Sequence, residues 1–391
     1  MSYKISVIGM GYVGCGNGLL LSKNHNVSIM DIDQKKVNDF NNKKLPIFDP
    51  FAQNYLDNES LNIEATSDLL VSIQGAKFIL LCLPTNFDEN TEQYDTNVLE
   101  EVIGTIVKKN KEAVVVIKST VNIGYTESLQ QKFNTKKIIF NPEFLREGHA
   151  LEDNFNPSRI IIGGLDDDAK LYGEVLSRSI ISGNTPLLFM STTAAESVKL
   201  FSNTYLAMRV AFFNELDGFC LKNSINTGHV IEGVSLDNRI GSFYNNPSFG
   251  FGGYCLPKDS KQLLSRFGNV PHDLMQAIQD SNAHRADFLV SEIMLLSPKT
   301  IGVYKLAMKE GLDNSRGSSI FHIIKKLIIK KIKILVYDSS LITLDLDNIL
   351  LVDSFDNFTE SSDLILTNRL DDQIRPFASK VFTRDIFSSD E

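Results

Sequence analysis

The segment Asn245-Asn246-Pro247-Ser248-Phe249-Gly250-Phe251-Gly252-Gly253-Tyr254-Cys255-Leu256-Pro257-Lys258-Asp259 gathers groups able to do covalent chemistry. Its glycines let the backbone pass close to a ligand. Pro257 suits the first turn of a helix, which sets Cys255 just outside the amino end. There the helix dipole and Lys258 both favour the thiolate, the nucleophilic form. Asp259 lies within one turn of that thiol and is available as an acid or base. The bland alternative is a cysteine packed as a small hydrophobe. That suits Cys15, Cys82 and Cys220, which lie in apolar runs or helices, and suits a glycine-loop cysteine poorly.

A second constellation is Gly9-Met10-Gly11-Tyr12-Val13-Gly14, a G-x-G-x-x-G after the strand-like KISVI. Its glycines serve, in order, a tight turn, close approach of backbone to a pyrophosphate, and close helix packing. The following helix offers its amino end to the phosphates. Asp31, twenty residues after Gly11, ends the next apolar run. A carboxylate there takes both ribose hydroxyls and repels a 2′-phosphate, so NAD is expected over NADP, with Lys36 weakening that preference slightly. Glycines serving only a turn would not need this whole βαβ setting.

Lys199 and Asn203, four residues apart, share one face of a helix. Taken alone they are either a solvated pair or two polar groups projecting into a cleft. Asn141-Pro142-Glu143-Phe144-Leu145-Arg146-Glu147-Gly148 begins where the run Ile138–Phe140 ends, and Thr85 and Thr120 follow the runs Phe78–Leu83 and Val114–Ile117. Ligands of open α/β sheets bind at such carboxyl ends, so these residues outline one rim.

The elements that must hold these groups are legible in the spacing. Short apolar runs at Ile5–Ile8, Val27–Met30, Phe78–Leu83, Val114–Ile117, Ile138–Phe140 and Ile160–Ile162 alternate with amphipathic stretches, the pattern of buried parallel strands covered on both faces. That predicts a doubly wound NAD-binding domain over residues 1–192. From Thr193 a helix of about 25–30 residues follows, spanning ~40 Å, with Thr193 and Glu196 spaced as a capping box. Its Val198, Phe201, Tyr205, Met208, Phe212, Leu216 and Phe219 recur at steps of three and four. Such a helix serves as an interdomain spine or a dimer seam, and with the cysteine loop it makes a central domain over 193–297. Thr300–Tyr304, Ser318–Lys330, Ile332–Tyr337 and Leu364–Leu366 predict a second, smaller Rossmann-like α/β domain over 298–391, least readable across Leu341–Asp363.

Composition narrows the class. The 391 residues carry 39 Lys plus Arg against 48 Asp plus Glu, a net charge of −9, which argues against a protein that grips nucleic acid or an anionic membrane. At 43% apolar and 22% charged the chain is ordinary globular material rather than disordered or fibrous. No apolar run approaches the ~18–20 residues of a membrane span, and Met1–Gly9 is too short for a secretory signal. The cysteines are too scattered for a disulfide frame, and neither they nor the histidines have metal-ligand spacing, so no metal is expected. The expectation is a cytoplasmic, multidomain protein.

Taken together, GMGYVG at 9–14, KST at 118–120, NPEFLREG at 141–148, the Lys199/Asn203 helix, YNNPSFGFGGYCLPKD at 244–259, and Lys309 with Arg316 resemble the UDP-glucose 6-dehydrogenase family in its short bacterial form. The resemblance spans essentially the whole chain and is weakest over Leu341–Asp363. It implies a four-electron oxidation: UDP-glucose, two NAD⁺ and water give UDP-glucuronate, a precursor of capsule and other polysaccharides, with two NADH. It also implies that Cys255 adds to the C6 aldehyde as a thiohemiacetal and carries the product as a thioester. Lys199 and Asp259 would manage the alcohol proton and the oxyanion, Asn203 would donate to that oxygen, Glu143 would act as base for hydrolysis, and Thr120 would hold the water. Gly9, Gly11, Tyr12, Val13, Gly14, Asp31, Lys36, Thr85, Thr120, Glu147, Lys258 and Arg316 match cofactor-binding positions. The substrate would meet Glu143, Phe144, Leu145, Arg146, Glu147, Lys199, Asn203, Tyr244, Asn245, Asn246, Pro247, Ser248 and Gly252, with Lys309 at the pyrophosphate. Arg239 matches a residue that reaches the sugar across a homodimer interface. Phe251 stands where close relatives often carry Tyr, and the chain lacks the carboxyl-terminal extension of animal members, so a dimer is expected rather than a hexamer. The rivals are a dehydrogenase of another UDP-hexose such as UDP-N-acetylmannosamine, a two-electron hydroxyacid-type dehydrogenase that would not need Cys255, and a non-catalytic NAD-sensing module.

Overall fold

The computed structural model describes residues 1–88, 91, 93–146, 148–253, 255–306, 318–338 and 349–388. By packing, these form two compact units, Met1–Leu200 and Phe201–Glu391.

In the first unit, β1 (Lys4–Ile8), β2 (Asn26–Met30), β3 (Ile63–Thr66) and β4 (Phe78–Leu81) are followed by a short hairpin of β5 (Phe87–Asp88) and β6 (Gln93–Tyr94). Then come β7 (Val114–Ile117), β8 (Ile138–Phe140), β9 (Ile160–Gly163) and β10 (Leu187–Met190). All but the hairpin join one sheet in the order β10-β9-β8-β7-β4-β1-β2-β3. The section β3-β2-β1-β4-β7-β8 has the order of a dinucleotide-binding sheet, with its reversal of connection between β1 and β4. Its pairings are parallel, whereas β9 meets β8 antiparallel. Strand residues alternate between two cores. Ile5, Val7, Phe78, Leu80, Val114 and Val116 face one side. Ile8, Ile79, Leu81, Val115 and Ile117 face the other. A period of two with both faces apolar requires helices on both faces, which is why these strands read as continuous apolar runs.

The second unit builds a smaller all-parallel sheet in the order β13-β12-β11-β14-β15. Its strands are β11 (Thr300–Tyr304), β12 (Lys333–Tyr337), β13 (Ile349–Leu351), β14 (Leu364–Leu366) and β15 (Val381–Phe382). Ile301, Val303, Ile334 and Val336 face one core, and Tyr304, Leu335 and Ile365 the other. Within the poorly legible stretch lie β13 and a helix, Phe355–Ser361, while 341–348 fall outside the described residues.

The long helix runs Thr192–Lys222, and its start differs from the expected capping box. Ser191 Oγ, not Thr193, takes the cap position, accepting from the Ala194 N–H at 3.2 Å. Glu196 is fully buried and turned to another task. It accepts from the Gly124 N–H (2.6 Å), the Thr126 N–H (2.8 Å) and the Thr126 hydroxyl (2.6 Å) at the amino end of helix Tyr125–Lys132. That helix begins at a glycine, which has no side chain to satisfy its first N–H groups, so a carboxylate from another helix does so. Burial pushes the Glu196 carboxyl above its ordinary range, against the pull of those three bonds. The aromatic stripe of the long helix is present and faces solvent: Phe201, Tyr205, Phe212 and Phe219 are exposed, while Ala207, Ala211, Asn203, Asn214 and Asp217 are buried.

Candidate active site

In the first unit β1 ends at Gly9, whose φ of +104° is a left-handed conformation that favours glycine. A Cβ on Gly9 would lie 2.5 Å from the Cys82 carbonyl oxygen, and one on Gly14 would lie 1.8 Å from that of Gly9. Both positions therefore demand glycine. A Cβ on exposed Gly11 would meet no described atom within 4 Å. That open cradle faces the amino end of helix Tyr12–Ser22, and a pyrophosphate fits it. Tyr12 and Val13 form the first turn and are half-buried. Asp31 accepts from the Met10 N–H at 2.9 Å and the Asp33 N–H at 3.0 Å, and pairs with Lys36 at 3.4 Å. Its carboxylate thus stands against the glycine turn, in place for a ribose. Thr85 is buried and donates to the Thr120 carbonyl at 2.7 Å, tying the ends of β4 and β7 together across the rim.

Glu143 sits at the centre of a polar cluster to which Asn17 and Tyr172, which the sequence did not single out, also contribute. One carboxylate oxygen accepts from Asn17 Nδ2 (2.9 Å) and pairs with Lys118 Nζ (3.0 Å). The Lys118 side chain is 2% exposed and also donates to Asn141 Oδ1 at 2.8 Å, which takes a further bond from the Tyr172 hydroxyl at 3.0 Å. A buried ammonium is tolerable only with such partners. Asn17 belongs to the helix that begins at the glycine turn, so the cluster links Glu143 to the cofactor cradle. Lys199 Nζ donates to the Glu143 backbone carbonyl at 2.5 Å and lies 5.4 Å from the Phe144 ring centroid. Leu145 is half-buried beside them in sequence. Arg146 does not project freely: Asp153 accepts from its guanidinium at 2.7 Å and from its backbone N–H at 2.7 Å.

In the second unit helix Cys255–Ser265 starts at the cysteine itself rather than after it, with Pro257 still inside the first turn. Cys255 is exposed at that amino end. One turn on, Lys258 and Asp259 are buried and paired at 3.1 Å, and Asn203 of the long helix donates to the other Asp259 oxygen. The remaining cysteines differ. Burial pushes the Cys82 thiol up to about 12 despite the opposing charge of Lys118, and pushes Cys15 higher still. Burial thus favours the neutral thiol at both positions.

The loop before the cysteine is held from several sides. Asn245 and Pro247 are buried, Tyr244 adopts φ +54°, and Gly250 has φ +147°, where a Cβ would lie 2.7 Å from Asn282 Oδ1. Asn245 Nδ2 donates to Ser235 Oγ at 2.9 Å, and the Ser248 N–H to Asn214 Oδ1 at 2.8 Å. Gly252 is half-buried. Arg239 has a side chain 90% exposed, and among the described residues its ion pair is with neighbouring Asp237. Glu147, Lys309 and Arg316 lie outside the described residues. Among the described residues no group of His, Cys, Asp and Glu is arranged for a metal, and no helix is long and apolar enough to cross a membrane.

A glycine cradle at a helix end, a carboxylate closing the second strand, and the switch in strand order between β1 and β4 define a nicotinamide-dependent dehydrogenase. The chain belongs to the UDP-glucose/GDP-mannose dehydrogenase family: residues 3–181 match its NAD binding domain and 193–284 its central domain. It is 43% identical to the UDP-glucose 6-dehydrogenase of Campylobacter jejuni, over 99% of this chain and 100% of that one. It is 40% identical to that of Streptococcus pneumoniae, over 98% and 99%. A solved UDP-glucose dehydrogenase from Pyrobaculum islandicum superposes with a TM-score of 0.85 at 25% identity, covering 94% of this chain and 90% of that one. The cofactor is NAD.

Proposed function

We propose that this protein oxidises UDP-glucose to UDP-glucuronate, reducing two NAD⁺ per sugar and consuming one water. The observation that carries the reading is the exposed Cys255 at a helix amino end, one turn from the buried Asn203–Asp259–Lys258 cluster. Bound NAD⁺ supplies the hydride acceptor for both oxidations.

The C6 hydroxyl gives its one proton to the Lys199/Asp259 pair as carbon C6 gives up a hydride, leaving an aldehyde. The Cys255 thiolate, favoured by the helix end, adds to that carbon and forms a C–S bond. Asn203 and Lys199 hold the resulting oxyanion by hydrogen bonds. Loss of the second hydride turns the adduct into a thioester. Glu143 then takes a proton from a water held by Thr120; the water adds to the carbonyl carbon, the C–S bond breaks and the thiolate is restored. Two supports for these roles are internal to each unit: Asn203 is bonded to Asp259, and Lys199 to the Glu143 backbone.

Phe201, Tyr205, Phe212 and Phe219, with exposed Leu236, Ile240 and Phe243, form apolar surface of the kind that subunit contacts cover. The functional unit is then a homodimer, and Arg239 reaches the partner's sugar. The setting is the cytoplasm, where the nucleotide sugar and NAD are both at hand.

Initial rates across a panel of UDP-sugars test the substrate. UDP-glucose should exceed UDP-N-acetylmannosamine in kcat/KM by at least about tenfold, the discrimination that one misplaced substituent commonly gives. Preference for the N-acetylated sugar would replace this reading with the other.

A further inference from the structure

The carboxyl-terminal segment Thr383–Ser388 carries a pair of contacts whose common target is the loop before Cys255. Asp385 is buried, and its Oδ1 accepts from Asn246 Nδ2 at 2.7 Å. In return Asn246 Oδ1 accepts from the Ile386 N–H at 3.0 Å. The same Asp385 oxygen accepts from the Ser388 N–H at 2.9 Å and pairs with Arg369 at 3.1 Å, which fixes the carboxylate and offsets its charge. The preceding residue, Arg384, binds the fully buried Asp217, with Nε at 3.0 Å. Asp217 also takes Arg285 at 2.5 Å, and Arg285 donates in turn to the Ser248 carbonyl at 3.0 and 3.1 Å. The loop is therefore gripped at Asn246 directly and at Ser248 through two side chains, both grips leading to adjacent residues of one short segment.

We infer that Asp385 is a positioning residue for UDP-sugar binding: by clamping Asn246 it fixes the conformation of the loop that receives the nucleotide sugar. This rests on the proposed function, in which that loop meets the substrate. The Asn246 amide is held at both ends, its Nδ2 by Asp385 and its Oδ1 by the Ile386 N–H, so its geometry is set before substrate arrives. Removing the carboxylate leaves Asn246 held only through its Oδ1 among these contacts, which widens its rotamer range, and binding must then bear the cost of ordering it.

The test compares Asp385→Ala, Asp385→Asn and Ile386→Pro in the full chain, with KM and kcat measured for each substrate separately and thermal unfolding alongside. Asp385→Ala should raise KM for UDP-glucose roughly tenfold, the worth of a hydrogen bond to a charged group, and leave KM for NAD unchanged. Asp385→Asn, which keeps an acceptor oxygen, should recover most of the loss. Ile386→Pro removes the nearer N–H donor to Asn246, together with the isoleucine side chain, leaves the longer bond from the Phe387 N–H (3.4 Å), and should raise the same KM by severalfold. If Asp385→Ala does not fold, the other two variants decide. A lowered Tm with KM for UDP-glucose unchanged in the folded variants would overturn the inference and leave the segment a structural tie. Absence of UDP-glucose oxidation by the unaltered protein would instead overturn the proposed function.

Discussion

Lys118→Met is the substitution most directly aimed at the hydrolytic half of the reaction. Methionine keeps the length and most of the volume of the buried stem while deleting the ammonium that lies 3.0 Å from Glu143 and 2.8 Å from Asn141. The Glu143 side chain is 16% exposed and keeps its bond from Asn17, so its carboxylate is loosened rather than stranded. One charge-assisted hydrogen bond lost is worth about 1.5–3 kcal/mol. Expressed on the step that is proposed to use Glu143, that range slows hydrolysis by roughly 10- to 150-fold. In the proposed route thioester formation does not call on Glu143 as a base and should proceed at close to its former rate. Rapid mixing should then show a burst of NADH at the unaltered amplitude, followed by a steady state slowed by that factor. Mass spectrometry of the quenched protein should show the acyl group on the peptide containing Cys255. A steady-state rate within twofold of the unaltered protein, with no adduct accumulating, would refute the assignment of Lys118 as the residue that orients the base.

Asp217→Asn should cost about 3–5 kcal/mol of stability at pH 7, because it leaves the buried Arg285 and partly buried Arg384 without their counter-charge. Burial alone would raise the Asp217 carboxyl, but bonding to Arg384 and the charges of Arg285 and Arg384 outweigh it and hold the group below its ordinary 3.8. A depressed carboxyl stabilises above its unfolded value and loses that contribution as pH falls through its folded one. The gap between variant and unaltered protein in urea unfolding should accordingly be full above about pH 4 and shrink below it; a gap independent of pH would contradict the ion-pair account. For the proposed dimer, Phe212→Lys places a charge in the exposed aromatic stripe and should shift sedimentation from twice the chain mass toward the single chain. A single-chain mass for the unaltered protein would remove the seam.

Much of this was legible in the residues. Gly9, Gly11, Gly14 and Asp31 follow a local rule, since turn, helix end and carboxylate all lie in one βαβ unit, and the structure sets Asp31 against the Met10 N–H. β3 and β10 escaped because Ile63–Thr66 and Leu187–Met190 lie at the sheet edges, where burial is partial and apolar runs are diluted. The capping box failed because Thr193 and Glu196 have the right spacing, but a distant helix lacking its own cap claims the carboxylate. Spacing cannot report a partner seventy residues away. The same holds for Lys118, Asn17 and Tyr172, which converge on Glu143 and Asn141 from three elements. Lys118 alone left a trace, a charged residue directly after four buried strand positions at the end of β7.

The most direct test of the account is the ratio of NADH formed to UDP-glucose consumed by the purified protein, measured to completion with limiting sugar and repeated with Cys255→Ser. A covalent route through the sulfur demands two NADH per sugar in the unaltered protein and no completed turnover in the variant. A ratio of one, or a serine variant that turns over at the normal rate, would contradict it.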